Sequence, residues 1–166
     1  MSMKTSKKIT LNILWDRRER MAWTWDRERA ASRYTLTFKK ATIRTGDYTL
    51  RGQEKKFTIE RKGCSDLAQS CTTGHTRFRR EHERMAKIVA GGGFAVVIIE
   101  DSLASVLRYA DNRRKGDAAR ILGTLSTWTL AYHVPWIFAG DRPTAQRIAL
   151  DLMTKWQEQK NGKPKR

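Results

Sequence analysis

Three side chains in the stretch "GDYTLRGQEKKFTIERK", Gly46 to Lys62, have types and spacing suited to joint chemistry: the carboxylates of Asp47 and Glu60 and the amine of Lys62. Side chains alternate across a strand, so Glu60 and Lys62 share one face of "FTIERK" while Arg61 takes the other. Twelve residues separate Asp47 from Glu60, enough for a hairpin that brings the two acids together from adjacent strands. Two hard oxygen donors, with room left for waters and phosphate oxygens, suit Mg2+ or Mn2+. Such an ion polarises a phosphate, lowers the pKa of a coordinated water and stabilises a leaving oxygen, while Lys62 orients the nucleophile or neutralises developing charge. Charged strand ends are common, so D…ExK alone is an unspecific pattern. Its neighbours add to it: Asp16 closes an apolar run in "WDRRE", and Asp66 follows the lysine by four residues in "ERKGCSD".

Those acids stand in a strongly basic chain. Lys and Arg number 34 against 17 Asp and Glu, a formal net charge of +17, and an excess of that size in 166 residues points to a polyanionic partner, nucleic acid first. An anionic membrane surface would call for a long basic amphipathic helix or a lipidation signal, and neither is present. No apolar stretch reaches membrane-spanning length, and "MSMKTSKKITLNILW" lacks the features of a secretory signal, so a soluble cytoplasmic protein is expected, nucleoid-associated if bacterial. Cys64 and Cys71 would lie two turns apart on a helix, too far for a disulfide, and read as buried thiols in a reducing compartment. With no CxxC pair and three scattered histidines (His75, His82, His133), a structural zinc site is not expected.

The length and the 39% hydrophobic content fit one folded domain over residues 9–158, flanked by a basic tail at 1–8 and a disordered basic tail at 159–166. "ITLNILW" reads as a buried strand ending at Asp16. Residues 17–33 are charged and interrupted by Trp23 and Trp25, leaving a short helix and an irregular excursion as alternatives. Tyr34–Leu50 and Phe57–Glu60 read as two antiparallel strands of a hairpin, and "FAVVII" at 94–99 as a central strand covered on both faces. Helices are expected in "DLAQSCTT" (capped by Ser65 or Asp66), in "TRFRREHERMAKIVA" ended by "GGG", after Ser102, in "GDAARILGTLSTWTLAYH" and after Asp141, with a strand in "PWIFAG". This order predicts an α/β sandwich with a central mixed sheet, antiparallel through the early hairpin and parallel later.

Several of these segments carry a family likeness. "WDRRE", "GDYTL", "IERKGCSDL", "GHTRFRREHERM", "FAVVIIE" and "VPWIFAGDRPTA" resemble the nuclease domain of the XPF-type structure-specific endonucleases, of the restriction-endonuclease-like, PD-(D/E)XK superfamily. The likeness runs from about Ile9 to Trp156 and is nearest to stand-alone bacterial and phage versions, and it implies an α/β/α sandwich. It further implies metal-dependent hydrolysis of DNA near branches, flaps or junctions, in repair or recombination. By resemblance, Asp47 and Glu60 are metal ligands with Asp16 near the metal, and Lys62 is the catalytic lysine. Arg18, Glu19, Arg61 and Asp66 complete the motif, with Arg61 in a supporting place. Glu81 stands where the family often has glutamine, residues 17–33 exceed the usual connection, and the tandem helix-hairpin-helix domain of eukaryotic and archaeal members is not in these residues.

Around this core, Arg77, Arg79, Arg80 and Arg84 are candidates for phosphate contact, with Arg17, Arg20, the "RRK" at 113–115 and, more weakly, His75. Phe78, Met85 and Ile88 read as core, His82 as a surface or packing residue, and Trp128, Trp136 and Trp156 as core or interface aromatics. Packing is the reading for Trp23 and Trp25, with stacking on unpaired bases as the alternative. The family likeness implies a homodimer or heterodimer through the C-terminal helices. A catalytically idle DNA-binding or partner-recruiting module and an RNA-directed role are the competing functions, since phosphate contacts read neither sugar nor base.

Overall fold

Apolar alternation in the first strand and continuous apolar runs in the later ones build a six-stranded sheet. The structure is a computed structural model that describes residues 9–25 and 34–162. The strands are β1 (Ile9–Asp16), β2 (Tyr34–Ala41), β3 (Tyr48–Leu50), β4 (Phe57–Lys62), β5 (Phe94–Ile99) and β6 (Trp136–Phe138), in the order β2-β1-β3-β4-β5-β6. The helices are α1 (Cys64–Ser70), α2 (His75–Ala90), α3 (Leu103–Arg113), α4 (Asp117–Tyr132) and α5 (Arg142–Lys160). The expected mixed-sheet α/β architecture is present. The tails at 1–8 and 163–166, and residues 26–33, lie outside the described residues.

The early hairpin needs correction. Tyr34–Leu50 is not one strand: β2 ends at Ala41 and pairs parallel with β1 at the sheet edge, whereas β3 starts at Tyr48 and runs antiparallel to both β1 and β4. The break spans residues 42–47 and turns into β3 at Gly46, whose φ of +75° belongs to the left-handed region that favours glycine. A Cβ there would also stand 2.1 Å from Thr58 Oγ1 and 2.9 Å from the Ile59 carbonyl. The bend turns Asp47 back over β4. From β4 onward the sheet is parallel, as expected.

Both faces of the sheet are covered. Ala95, Val97 and Ile99 of β5 pack under α1 to α4 with Leu67, Phe78, Met85 and Trp128. Val96 and Ile98, with Ile13, Phe57 and Ile59, pack against Ala145, Ala149 and Met153 of α5 and against Trp23 and Trp25. Trp23 stacks on Tyr48 with ring centroids 4.5 Å apart, so both tryptophans are core residues and residues 17–25, the described part of the excursion after β1, form a packed strap rather than a helix. Burying a side chain of this size contributes about 3 kcal/mol or more.

The helix starts differ in part from expectation. α1 begins at Cys64, and its first amide donates to Asp101 Oδ2 at 3.1 Å, in place of a cap from Ser65 or Asp66. Ser102 and Asp141 do cap α3 and α5. Cys64 and Cys71 are free thiols, and burial pushes Cys71 up to about 12. Among the described residues, no helix is long and apolar enough to cross a membrane.

His82 carries a testable consequence of the packing. It is fully buried, its Nε2 accepts from Trp136 Nε1 at 2.8 Å, and its Nδ1 lies 3.2 Å from the Phe78 carbonyl, so the ring is neutral with its proton on Nδ1. Burial lowers its pKa from 6.5 to about 4. A depressed pKa means stability present above about pH 6.5 and lost as the pH falls toward 4, about 3 kcal/mol in all. Urea unfolding at pH 7 and pH 5 should show about 2 kcal/mol of this loss in the wild type and a smaller one in His82→Gln.

Candidate active site

Asp47 sits where three strands meet. Its amide donates to the Ile59 carbonyl at 2.8 Å, its carbonyl accepts from the Asp16 amide at 2.8 Å, and its Oδ2 accepts from the Arg61 amide at 2.8 Å. No hydrogen bond reaches Oδ1 among the described residues. Glu60 and Lys62 lie together on the face of β4 that α1 to α4 cover, both buried, with Lys62 Nζ 2.8 Å from Glu60 Oε1 and 4.8 Å from the centre of the Phe78 ring. The alternation read from the sequence thus holds, and the two acids and the lysine converge.

The electrostatics are those of a site short of positive charge. Burial, then repulsion from Glu60, pushes Asp47 well above the usual carboxylate range. Burial also raises Glu60, against the pull of Lys62 and with further repulsion from Glu81 and Glu19. Lys62 is held above its ordinary value because Glu60, Asp47 and Asp66 outweigh the effect of burial. Hard oxygens, an open Oδ1 and uncompensated negative charge fit a divalent cation bound by Asp47 and Glu60. Among the described residues no group of three His, Cys, Asp or Glu side chains is placed to hold a metal, so water and substrate oxygens would complete its shell.

The other motif residues brace this centre. Asp16, 1% exposed and expected near the metal, spends both oxygens elsewhere: Oδ1 accepts from Arg18 N and Nε at 2.8 and 2.7 Å, and Oδ2 from the Ile43 amide at 2.7 Å. Burial raises its pKa, but those bonds outweigh it and hold Asp16 below the usual range. Arg18 also donates to the Ile43 carbonyl at 2.7 Å, fixing the segment that leads to Asp47. Asp66 is exposed on the first turn of α1, where it acts on Lys62 through charge alone.

On the opposite face, Arg61 makes a forked pair with Glu100, Nε–Oε1 2.8 Å and Nη2–Oε2 2.5 Å, and lies 3.5 Å from Glu19. Glu100 also accepts from Trp23 Nε1 at 2.6 Å and Arg142 Nη1 at 3.0 Å, and Arg142 reaches the Met21 and Ala22 carbonyls at 2.8 Å. The supporting place expected for Arg61 therefore has a mechanism. Glu100 and Arg142 had no role in the sequence reading, although an acid ending the most apolar strand was a signal. Glu81 accepts from the Gly46 amide at 2.8 Å and pairs with Arg84, tying α2 to the Asp47 bend.

Of the expected phosphate contacts, Arg77, Arg79 and Arg80 are exposed on α2, with Arg79 3.6 Å from Glu83. Arg84 is occupied by Glu81, and His75 packs on Trp128 at 5.0 Å. Residues 16–151 match the model of the ERCC4 domain. The chain belongs to the ERCC4 domain family. Structures of XPF from Aeropyrum pernix share the fold of this ERCC4 domain. The complex with DNA has a TM-score of 0.63 at 16% identity over 90% of this chain. The second XPF structure gives 0.65 at 16% over 93%. The chain spans 66% and 65% of the chains in those two structures. No curated protein matches this ERCC4 domain.

Proposed function

We propose that the protein is a divalent-metal-dependent DNA endonuclease that hydrolyses phosphodiester bonds at branched, flap or junction DNA. The observation that carries this reading is the convergence of Asp47, Glu60 and Lys62 at one end of β3 and β4 in a chain of net charge +17. Membership of the ERCC4 domain family supports it. Asp47 and Glu60 would hold Mg2+ or Mn2+, which when bound supplies Lewis-acid activation at the phosphate. The Arg61 amide aims Asp47, and Asp16, Arg18 and Glu81 hold the bend that carries it. Lys62, anchored by Glu60 and shielded by Phe78, offers its ammonium to a phosphate oxygen or to the attacking water, where it neutralises charge that develops in the transition state. Exposed Arg77 and Arg80 are placed for phosphate contacts along the same helix as Glu81.

Incubation with flaps, forks, four-way junctions and plain duplex, in Mg2+, Mn2+ and EDTA, tests the reading. Cleavage in metal alone is expected; none on any substrate in any condition would count against it. Salt-sensitive binding without cleavage would select the competing module that binds DNA and does not cut. Self-association through α4, β6 and α5 is part of the proposal. Leu130 on α4 is 77% exposed, and sedimentation of the wild type beside Leu130→Glu would show the dimer lost in the variant.

A further inference from the structure

The "RRK" motif at 113–115 has no part in the candidate active site. It ends α3, and with the first turn of α4 and the end of α1 it forms a cleft lined by Arg113, Arg114 and Arg120 around Gln69, Thr72 and Asp117. All three arginines are exposed. Asp117 lies 3.7 Å from Arg120, and Arg113 is 3.4 Å from the Tyr109 hydroxyl, so the cleft lining carries three guanidinium groups and one carboxylate, of which Arg120 alone is paired with Asp117. The start of α4 does not supply the anion-binding character: Asp111 Oδ1 already accepts from the Gly116 and Ala118 amides at 3.1 and 3.0 Å. The arginines must read the anion. A second cleft shares Arg120 and continues past Arg79 and His75, so the cationic lining extends along the helical face of the domain.

The cleft is joined to the active site by α1. That helix starts just after Lys62 and ends at Ser70, beside the cleft, so its seven residues separate the two by about 10 Å. A DNA strand covers that distance in about three nucleotides. We infer that this arginine cleft binds the sugar–phosphate backbone of the DNA arm that flanks the cut in a branched substrate. The inference rests on the proposed nuclease reading for its substrate, and it makes the enzyme's preference for branches a property of the nuclease domain itself. One arm occupies the site at Lys62, and the cleft holds the next.

Binding measured in an Asp47→Asn background, without cleavage, tests the cleft. The triple variant Arg113→Ala/Arg114→Ala/Arg120→Ala is compared with Lys39→Ala/Arg51→Ala/Lys55→Ala, which removes the same charge from the sheet edge and the far turn of the β3–β4 hairpin. Labelled forked DNA and blunt duplex of equal length are titrated from low to high salt. On the fork, the cleft variant should weaken binding about tenfold or more and make the log K against log salt slope shallower by about two to three, with a smaller change on the duplex. An unchanged slope on the fork, an equal loss in the control variant, or a greater loss on a matched RNA fork overturns the assignment. Failure of cleavage by the wild type with every metal would sink the nuclease reading instead; the salt slope, read without cleavage, judges the cleft separately.

Discussion

Asp47→Asn is expected to lower DNA cleavage by roughly 10^3-fold or more while raising the melting temperature of the metal-free protein. The two effects share one cause. Burial and the charge of Glu60 push Asp47 upward, so its ionised form is costly in the folded state until a cation is present. Asparagine keeps an oxygen for the Arg61 amide and removes the charge, which relieves the repulsion and deletes a proposed metal ligand. DNA binding, which depends on the surface arginines, should be nearly unchanged. Added Mg2+ should raise the melting temperature of the wild type but not of the variant. The raised pKa values of Asp47 and Glu60 also imply that metal affinity declines on acidification at a higher pH than ordinary carboxylates would give. If Asp47→Asn cleaved at the wild-type rate, the site would have to be sought elsewhere.

The second large effect is on stability. Arg61→Ala is expected to destabilise the fold by about 3 kcal/mol, because it leaves the partly buried Glu100 carboxylate with only Trp23 and Arg142 as partners. Arg61→Lys should recover little of this, since one ammonium cannot reproduce the fork on Glu100. Urea unfolding followed by tryptophan emission reads both quantities, as Trp23 leaves its place on Tyr48 when the strap opens. A midpoint unchanged in Arg61→Ala would mean that Trp23 and Arg142 satisfy Glu100 unaided.

The chemistry was legible in the sequence because it follows from alternation on one short strand: Glu60 and Lys62 had to share a face, and Arg61 had to take the other. β5 was legible from its apolar run. The pairing of β2 was not. Thr42, Ile43 and Thr45 continue the strand pattern, but the strand stops at Ala41, where Asp16 and Arg18 take the Ile43 amide and carbonyl, and Gly46 then turns the chain into β3. The strap was hidden for a similar reason. Its local composition is charged, and the groups that tie it down, Glu100 to Trp23, the Gln146 carbonyl to Trp25 and Arg142 to the Ala22 carbonyl, are all far along the chain. The placement of Asp16 turned on the Ile43 amide, a backbone group that no side-chain pattern announces.

The sheet has a narrow waist. β2 and β1 form one half, and β4, β5 and β6 the other; the three residues of β3 are the strand that joins them, in register with β4 only at Tyr48 and Ile59. Asp47 belongs to this joint and Glu60 to the half beyond it. A cation shared between them, as proposed, would therefore also be a rivet across the seam, and loading the site would stiffen the domain where a three-residue strand joins its two halves.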